Sequence, residues 1–474
     1  MPGFRKRHLL RSSTMLALAL SLAGPAIAQE ATADPAARPN LVIFLADDLS
    51  YADVPIGGDA NARTPALQRL ASEGVSFDRA FVASPACAPS RAALLTGLMP
   101  ARNGAEGNHD RANAAIRKLP SYLQEQGYEV VAFGKVAHYQ HSGTYGFDYY
   151  ANDTFHDHKG IPAAAEWLKA RKDKRPLALF VGTNWPHVPW PRTTEGYDPA
   201  AMKLPPKTVD TPITRDARAR FYAAVSRMDQ DLAATMDAVD AVLGKDTFVL
   251  YSTDHGTQWP FGKWNLYDTG TRVPMIVRWG GHVKPGTRTD AMVSWVDILP
   301  TLVQVAGGKA PAGIDGISFA GALGMEHGPV GRKEIFTTHN NDVRVNVFPM
   351  RSIRTDRWKY IENLHPDWTY TTHIDLKVQR TDSGAYFPSW REAADKDPAA
   401  KAVVDSYYRR PAEELYDLQA DPDEKLNLAT DPRYAKQLSA LRNRLAAWRK
   451  AQHDEGVVPV QPRLERGPME GEGE

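Results

Sequence analysis

The 474-residue sequence predicts an α/β fold: a large mixed, mostly parallel sheet sandwiched by helices, followed by a smaller C-terminal α+β domain. Three observations predict it. Short continuous apolar runs alternate with stretches of helical spacing, the pattern of buried strands joined by crossover helices. Polar residues able to carry chemistry follow directly after those runs. Near Pro329 the alternation gives way to shorter strand-like pieces, an irregular aromatic stretch and one long helix.

The elements follow in order. Residues 1–28 stand apart from the fold: Arg5, Lys6, Arg7 and Arg11 precede an apolar run from Met15 to Ala23, and Ala26-Ile27-Ala28 offers the small-x-small pattern of a signal peptidase site. The run is too short to span a bilayer unaided. The reading is a signal peptide, a mature start at Gln29, export to a bacterial periplasm or medium, and no membrane span after its removal. Ala31 to Arg38 is a small-residue linker. Asn40 to Ala46 reads as a buried strand, Ala66 to Gly74 as a helix, and Val75 to Val82 as extended. The helix Leu119 to Gln126 leads through Gly127 into the strand Glu129 to Phe133, and Leu177 to Gly182 and Thr247 to Ser252 are further buried strands. Between these two, Phe221, Val225, Met228, Leu232 and Met236 recur at helical spacing within Ala217 to Leu243, which marks core rather than a cofactor box. Glu334 to Thr338, Met350 to Ile353 and Trp358 to Glu362 are strand-like, and Tyr434 to Gln452 is a helix. The implied layout is a catalytic domain at 38–328, the smaller domain at 329–455 and a Gly/Glu/Pro-rich disordered tail at 456–474.

Composition narrows the function. With 57 basic and 56 acidic residues the net charge is +1, and loss of the basic leader takes it to −3, so no surface for nucleic acid is indicated. A single cysteine makes no internal disulfide, although an oxidising compartment usually favours pairs.

Asp47-Asp48, Gly134-Lys135, Pro186-His187 and Asp254-His255 each follow a predicted strand. In open parallel sheets the carboxyl ends of strands share the edge where ligands bind. Adjacent carboxylates repel, so Asp47-Asp48 is either a solvated turn or, with Asp254, a site for a hard cation such as Ca²⁺ or Mg²⁺. The strongest local signal is Cys87-Ala88-Pro89-Ser90-Arg91. Pro89 suits the first turn of a helix and puts position 87 at that helix's positive end. A lone cysteine is commonly an inert buried hydrophobe. That reading leaves the arginine in a tight proline turn unexplained.

These motifs resemble the formylglycine-dependent sulfatases of the alkaline phosphatase superfamily. CAPSR with LLTG (94–97), ADD (46–48), GKVAH (134–138), PHVP (186–189), TDHG (253–256) and GKWNLYDTGTRVP (262–274) occur in family order across the mature chain. The resemblance implies an alkaline phosphatase-like fold and a maturation enzyme, formylglycine-generating or equivalent, that oxidises Cys87 to an aldehyde. One hydroxyl of the hydrated aldehyde then attacks sulfur and expels the alcohol or amine. Deprotonation of the second collapses the hemiacetal and releases sulfate. It also implies one Ca²⁺ held by Asp47, Asp48, Asp254, His255 and residue 87. Arg91 would brace the diol, Lys135 and Lys263 would neutralise sulfate oxygens, His138 would serve as base and His187 as acid. His255 stands where many members carry Asn, and imidazole is an unusual partner for a hard cation.

The stretches 348–364, 414–432 and 446–454 resemble the heparan N-sulfatase (sulfamidase) branch, in which arginine commonly replaces Lys263; GKVAH and DHG resemble relatives that cleave uronate 2-sulfates. The implied substrate is a sulfated saccharide, N-sulfoglucosamine or heparan-like, with O-sulfates of another polysaccharide or aryl sulfates as the alternative. His109, Asn340, Asn341 and Arg351 are candidate sugar contacts. Two other readings are a phosphoesterase of the same superfamily, against which the Cys87 motif and the lack of a second metal set argue, and a silent glycan-binding protein, for which no broken constellation is visible.

Overall fold

The computed structural model describes residues 38–151, 159–325, 330–376 and 384–464. The leader, the linker up to residue 37 and residues 465–474 of the expected tail lie outside the described residues. The larger sheet has eight strands: β1 (Leu41–Ala46), β2 (Val75–Phe81), β3 (Glu129–Gly134), β4 (Tyr149–Ala151), β5 (Leu177–Gly182), β6 (Phe248–Thr253), β7 (Arg272–Arg278) and β8 (Thr287–Ser294), in the order β4-β3-β5-β1-β6-β7-β2-β8. A second, four-stranded antiparallel sheet joins β9 (Ile335–Asp342), β10 (Asn346–Arg354), β11 (Trp358–Asn363) and β12 (Glu413–Asp417).

In the larger sheet β4, β3, β5, β1 and β6 run parallel, with Leu41 opposite Ala178 on one side and Phe248 on the other. β7 is antiparallel to both β6 and β2, so β2 regains the direction of β1. β8 runs parallel to β2, so seven strands end on one edge, and the residues after β1, β2, β3, β5 and β6 meet there. β1, β5 and β6 are buried along their whole length, which is why each reads as an unbroken apolar run.

Alternation along β1 sends side chains into two cores. Val42, Phe44 and Ala46 meet Phe221, Val225, Met228 and Leu232 of the helix Pro212–Val242, whereas Leu41, Ile43 and Leu45 meet Leu94, Leu119, Leu123 and Leu302 from shorter helices. Truncating Phe221 to alanine would cost about 3–5 kcal/mol on the general scale for buried aromatics. The first core continues through Phe348, Met350, Tyr370 and Trp390, so the second sheet packs into it. On its other face the second sheet has a smaller core of its own, in which Ile353, Tyr360 and Leu415 meet Leu438, Leu441 and Leu445 of the helix Ala435–Gln452. Residues 456–464 carry no helix or strand, but the Arg463 N–H donates to the Arg344 carbonyl at 2.9 Å, so this part of the expected tail is held by its backbone.

Candidate active site

Residue 87 begins the helix Cys87–Thr96, placed after β2 at the shared edge. Every residue of this helix is buried. Its first turn therefore delivers position 87 and Arg91 into the interior together. Arg91 donates from Nε to Asp254 Oδ2 at 3.0 Å and from one terminal nitrogen to Asp47 Oδ1 at 3.3 Å, and its other terminal nitrogen reaches the Lys135 carbonyl. The bracing expected of Arg91 is directed at the carboxylates flanking residue 87; it makes no hydrogen bond to the residue 87 side chain.

Asp48 follows Asp47 at φ +66°, a left-handed conformation that aspartate tolerates better than most residues, and the two carboxylates take different lysines. Lys135 donates to Asp47 Oδ2 at 2.5 Å and approaches Cys87 Sγ at 3.7 Å. Lys263, from the loop between β6 and β7, donates to Asp48 Oδ1 and Oδ2 at 2.9 and 3.1 Å. Gly134 makes the Lys135 position possible: its φ is +67°, and a Cβ there would lie 2.1 Å from the Gly182 carbonyl oxygen.

Three carboxylates (Asp47, Asp48, Asp254) and three cations (Arg91, Lys135, Lys263) share this interior, each at most 2% exposed. Their ionisation is unequal. Burial opposes ionisation of Asp47, yet Lys135, His187, Arg91 and Lys263 together hold it well below the usual carboxylate range. Burial pushes Asp48 up to about 7; Asp47 and Asp254 add like-charge repulsion, and Lys263 opposes them. Burial also pushes the Cys87 thiol upward against Lys135 and Lys263, so the encoded side chain stays a neutral thiol and a poor nucleophile.

His255 Nε2 lies 3.2 Å from Cys87 Sγ, and its Nδ1 lies 3.0 Å from the Gly256 carbonyl oxygen, which assigns the proton to Nδ1. Burial lowers this histidine to about 4, so it is neutral with a lone pair facing residue 87. One ligand atom each from Asp47, Asp48, Cys87 and His255 lies within 4.8 Å of the others. Asp254 stands beside this group, accepting the Asp48 N–H at 3.2 Å on one oxygen and Arg91 on the other. Carboxylate oxygens that repel one another, with one neutral imidazole, fit a hard divalent cation. His187 donates from Nδ1 to the Val188 carbonyl at 2.6 Å and turns Nε2 toward Asp48 at 3.9 Å. His138 contacts His109 at 3.0 Å and makes no hydrogen bond to Cys87.

The candidate sugar contacts divide. Arg351 is fully buried, donating to Asp454 at 2.5 and 2.6 Å, and Asn340 bonds Arg351 and Glu106. Both are buried and tied to interior partners. Asn341 and His109 remain partly open. The sequence reading missed Asp342 and Asn108. Asn108 accepts the Ala88 N–H at 3.0 Å and donates to Asp342 at 3.0 Å. The available signals were Asn108-His109-Asp110 after a glycine and an acid ending Asn340-Asn341-Asp342.

The sequence profile of the Sulfatase family matches residues 39–308. The chain belongs to the sulfatase family. A second profile, that of the C-terminal part of N-sulphoglucosamine sulphohydrolase, matches residues 255–382 and ties this sulfatase to the heparan N-sulfatase branch. An ulvan-active sulfatase of Formosa agariphila is 31% identical over 91% of this chain and 85% of its own length. Human N-sulphoglucosamine sulphohydrolase is 29% identical over 89% of this chain and 92% of its own. A solved structure in complex with D-glucosamine-2-N,6-O-disulfate superposes with a TM-score of 0.67, covering 88% of this chain and 99% of that one at 18% identity, which speaks for a common fold. This sulfatase is a sulfuric ester hydrolase of the class that acts on sulfated glycans.

Proposed function

We propose that this sulfatase removes sulfate from a glucosamine-containing, heparan-like saccharide, with N-sulfoglucosamine as the favoured unit. The observation that carries the chemistry is residue 87 held between Lys135 and His255 beside Asp47 and Asp48. Asp47, Asp48 and His255, with Asp254 alongside, would hold one Ca²⁺. Bound calcium supplies Lewis acidity toward a sulfate oxygen, and formylglycine at 87 supplies the hydroxyl nucleophile.

The chain's own residues do the rest. The three buried cations balance the three carboxylates, so an added dication leaves the pocket positive and selects an anion. Lys135 and Lys263 point their ammonium groups at the carboxylates beside residue 87 and neutralise charge developing on sulfate. His187, with Nδ1–H committed to Val188, would act as the imidazolium, giving its Nε2 proton to the leaving group, and His138 takes the proton that frees sulfate. The proposal includes the signal peptide, export to the periplasm, cleavage before Gln29, and maturation of Cys87 by a formylglycine-generating or equivalent enzyme. Among the described residues no helix is long and apolar enough to cross a membrane.

The C-terminal match at 255–382 supports the N-sulfate reading. The ulvan-active relative favours a second one, an O-sulfate ester of another polysaccharide. Defined saccharides sulfated at N-, 2-O-, 3-O- or 6-O-positions, with ulvan oligosaccharides beside them, separate the two by chromatography of released sulfate. Release from N-sulfoglucosamine supports the first reading. Release from ulvan oligosaccharides alone overturns it in favour of the second.

A further inference from the structure

We propose that Asp342 and His109 are positioning residues that fix the tautomer of His138 and leave Nδ1 as its reactive nitrogen. This rests on His138 serving as the base. His138 Nε2 and His109 Nδ1 are 3.0 Å apart, with the rings edge to face at 78°. The second nitrogen of His109 lies 3.4 Å from Asp342 Oδ1, a buried oxygen with no hydrogen-bond partner of its own among the described residues. Asp342 Oδ2 accepts from Trp264 Nε1 at 2.9 Å and Asn108 Nδ2 at 3.0 Å.

The direction of this chain follows from donor counting. A neutral imidazole has one donor and one acceptor nitrogen. Asp342 offers only acceptors, so the proton of His109 sits on Nε2 and its Nδ1 accepts. His138 must therefore donate from Nε2, and its lone pair is on Nδ1. That atom is buried and has no hydrogen-bond partner among the described residues, so its lone pair is not committed to another group there. The assembly is anchored at both ends. His109 is held at φ +72°, and the preceding Asn108 N–H donates to the Asn341 carbonyl at 2.8 Å, laying this segment against the end of β9. Asn108 also accepts the Ala88 N–H at 3.0 Å, which ties the carboxylate to the first turn of the helix that carries residue 87. His373, stacked on Trp264 at 5.0 Å, is the second imidazole beside Asp342.

Asp342→Asn tests the relay without changing shape. Trp264 and Asn108 donate at the Oδ2 position, so the amide oxygen settles there and its NH₂ turns toward His109. His109 then accepts at Nε2 and donates from Nδ1, and the His138 proton moves to Nδ1. The spectroscopic readout is ¹H–¹⁵N correlation of ¹⁵N-histidine-labelled mature protein near neutral pH, with signals assigned through His109→Phe and His138→Ala. Nε2–H tautomers at 109 and 138 that both invert in Asp342→Asn support the relay; an Nδ1–H tautomer of His138 in the unaltered protein overturns it. The kinetic readout is sulfate release from D-glucosamine N-sulfate. A wrong tautomer should lower kcat by about 10²–10⁴-fold with KM nearly unchanged, and His109→Gln, whose amide both accepts and donates, should recover part of the rate lost in His109→Phe. If His109 were only a sugar contact, His109→Phe would raise KM and spare kcat. Unchanged kcat in His138→Ala removes the base assignment itself, whereas unchanged kcat in Asp342→Asn beside an inactive His138→Ala removes the relay alone.

Discussion

His255 presents Nε2 to Cys87 Sγ at 3.2 Å while Nδ1 faces the Gly256 carbonyl oxygen. The imidazole is thus held by its own backbone neighbour with a lone pair on the reactive residue, the arrangement of a ligand whose other nitrogen is already committed. His255→Asn keeps a neutral donor of similar reach, and is expected to bind Ca²⁺ and retain activity within about tenfold. His255→Leu removes the donor and should weaken calcium binding by about 10–100-fold. Calcium titrations followed by thermal melting distinguish the two. Equal calcium affinity in both variants would remove His255 from the metal site.

The Asp48 carboxyl gives the calcium-free protein a definite pH dependence. Its folded value, about 7, lies above its ordinary value of 3.8 because of burial and the neighbouring Asp47 and Asp254. A group raised on folding contributes stability that is whole below its unfolded value and is lost as pH rises through the folded one. The Asp48 contribution is therefore lost between about pH 4 and pH 7 in the chelated protein, while the buried His255, lowered to about 4, acts in the opposite sense over the same range. Calcium, which favours the ionised carboxylate, should raise Tm more at pH 8 than at pH 5. Melting curves with and without chelator at these two values are the measurement, and a calcium effect larger at pH 5 would contradict the assignment.

The parts of the fold legible in sequence were those under one strong constraint. β1, β5 and β6 are buried on both faces, and the residues after them follow at once. β7 was not legible because Pro274 interrupts its apolar run, nor β8, whose first half is partly exposed and polar, nor the acidic β12. In the site, Asp47, Asp48, Cys87, Arg91 and Lys135 carried motif signals. Asp342 and Asn108 did not, because they are 234 positions apart and meet only when β9 folds back beside the helix of residue 87. The tie of Arg351 to Asp454 was hidden for the same reason: nothing nearby in sequence announces Asp454, 103 positions away.

Arg351 therefore tests structure against recognition. Its guanidinium is fully buried, and Asp454, with a fully buried side chain, takes two of its hydrogen bonds. Removing one partner of such a pair strands the other and costs about 3–5 kcal/mol. Arg351→Ala and Asp454→Ala should each lower Tm substantially, while the folded fraction keeps its KM for sulfated saccharide. Denaturant unfolding and kinetics on the same preparations check this. A raised KM with unchanged stability would identify Arg351 as a sugar contact.

Residue 87 offers the most direct test of the chemistry. As encoded, it is a buried thiol that burial keeps protonated, so Lys135 at 3.7 Å and His255 at 3.2 Å surround a side chain with little nucleophilic character. Peptide mass spectrometry of protein from its native host should find an aldehyde, or its hydrate, in place of the thiol. Cys87→Ala should remove turnover, a loss of at least about 10⁴-fold for a covalent nucleophile, and leave Tm close to that of the parent because alanine fits the same buried helix start. Cys87→Ser separates attack from release. A single hydroxyl beside the same cations is able to displace the leaving group but has no second hydroxyl to expel sulfate, so intact mass after exposure to substrate should show one sulfo group retained. A serine variant that turns over continuously would mean that sulfate leaves by water attack at sulfur, and the two-hydroxyl mechanism would be wrong.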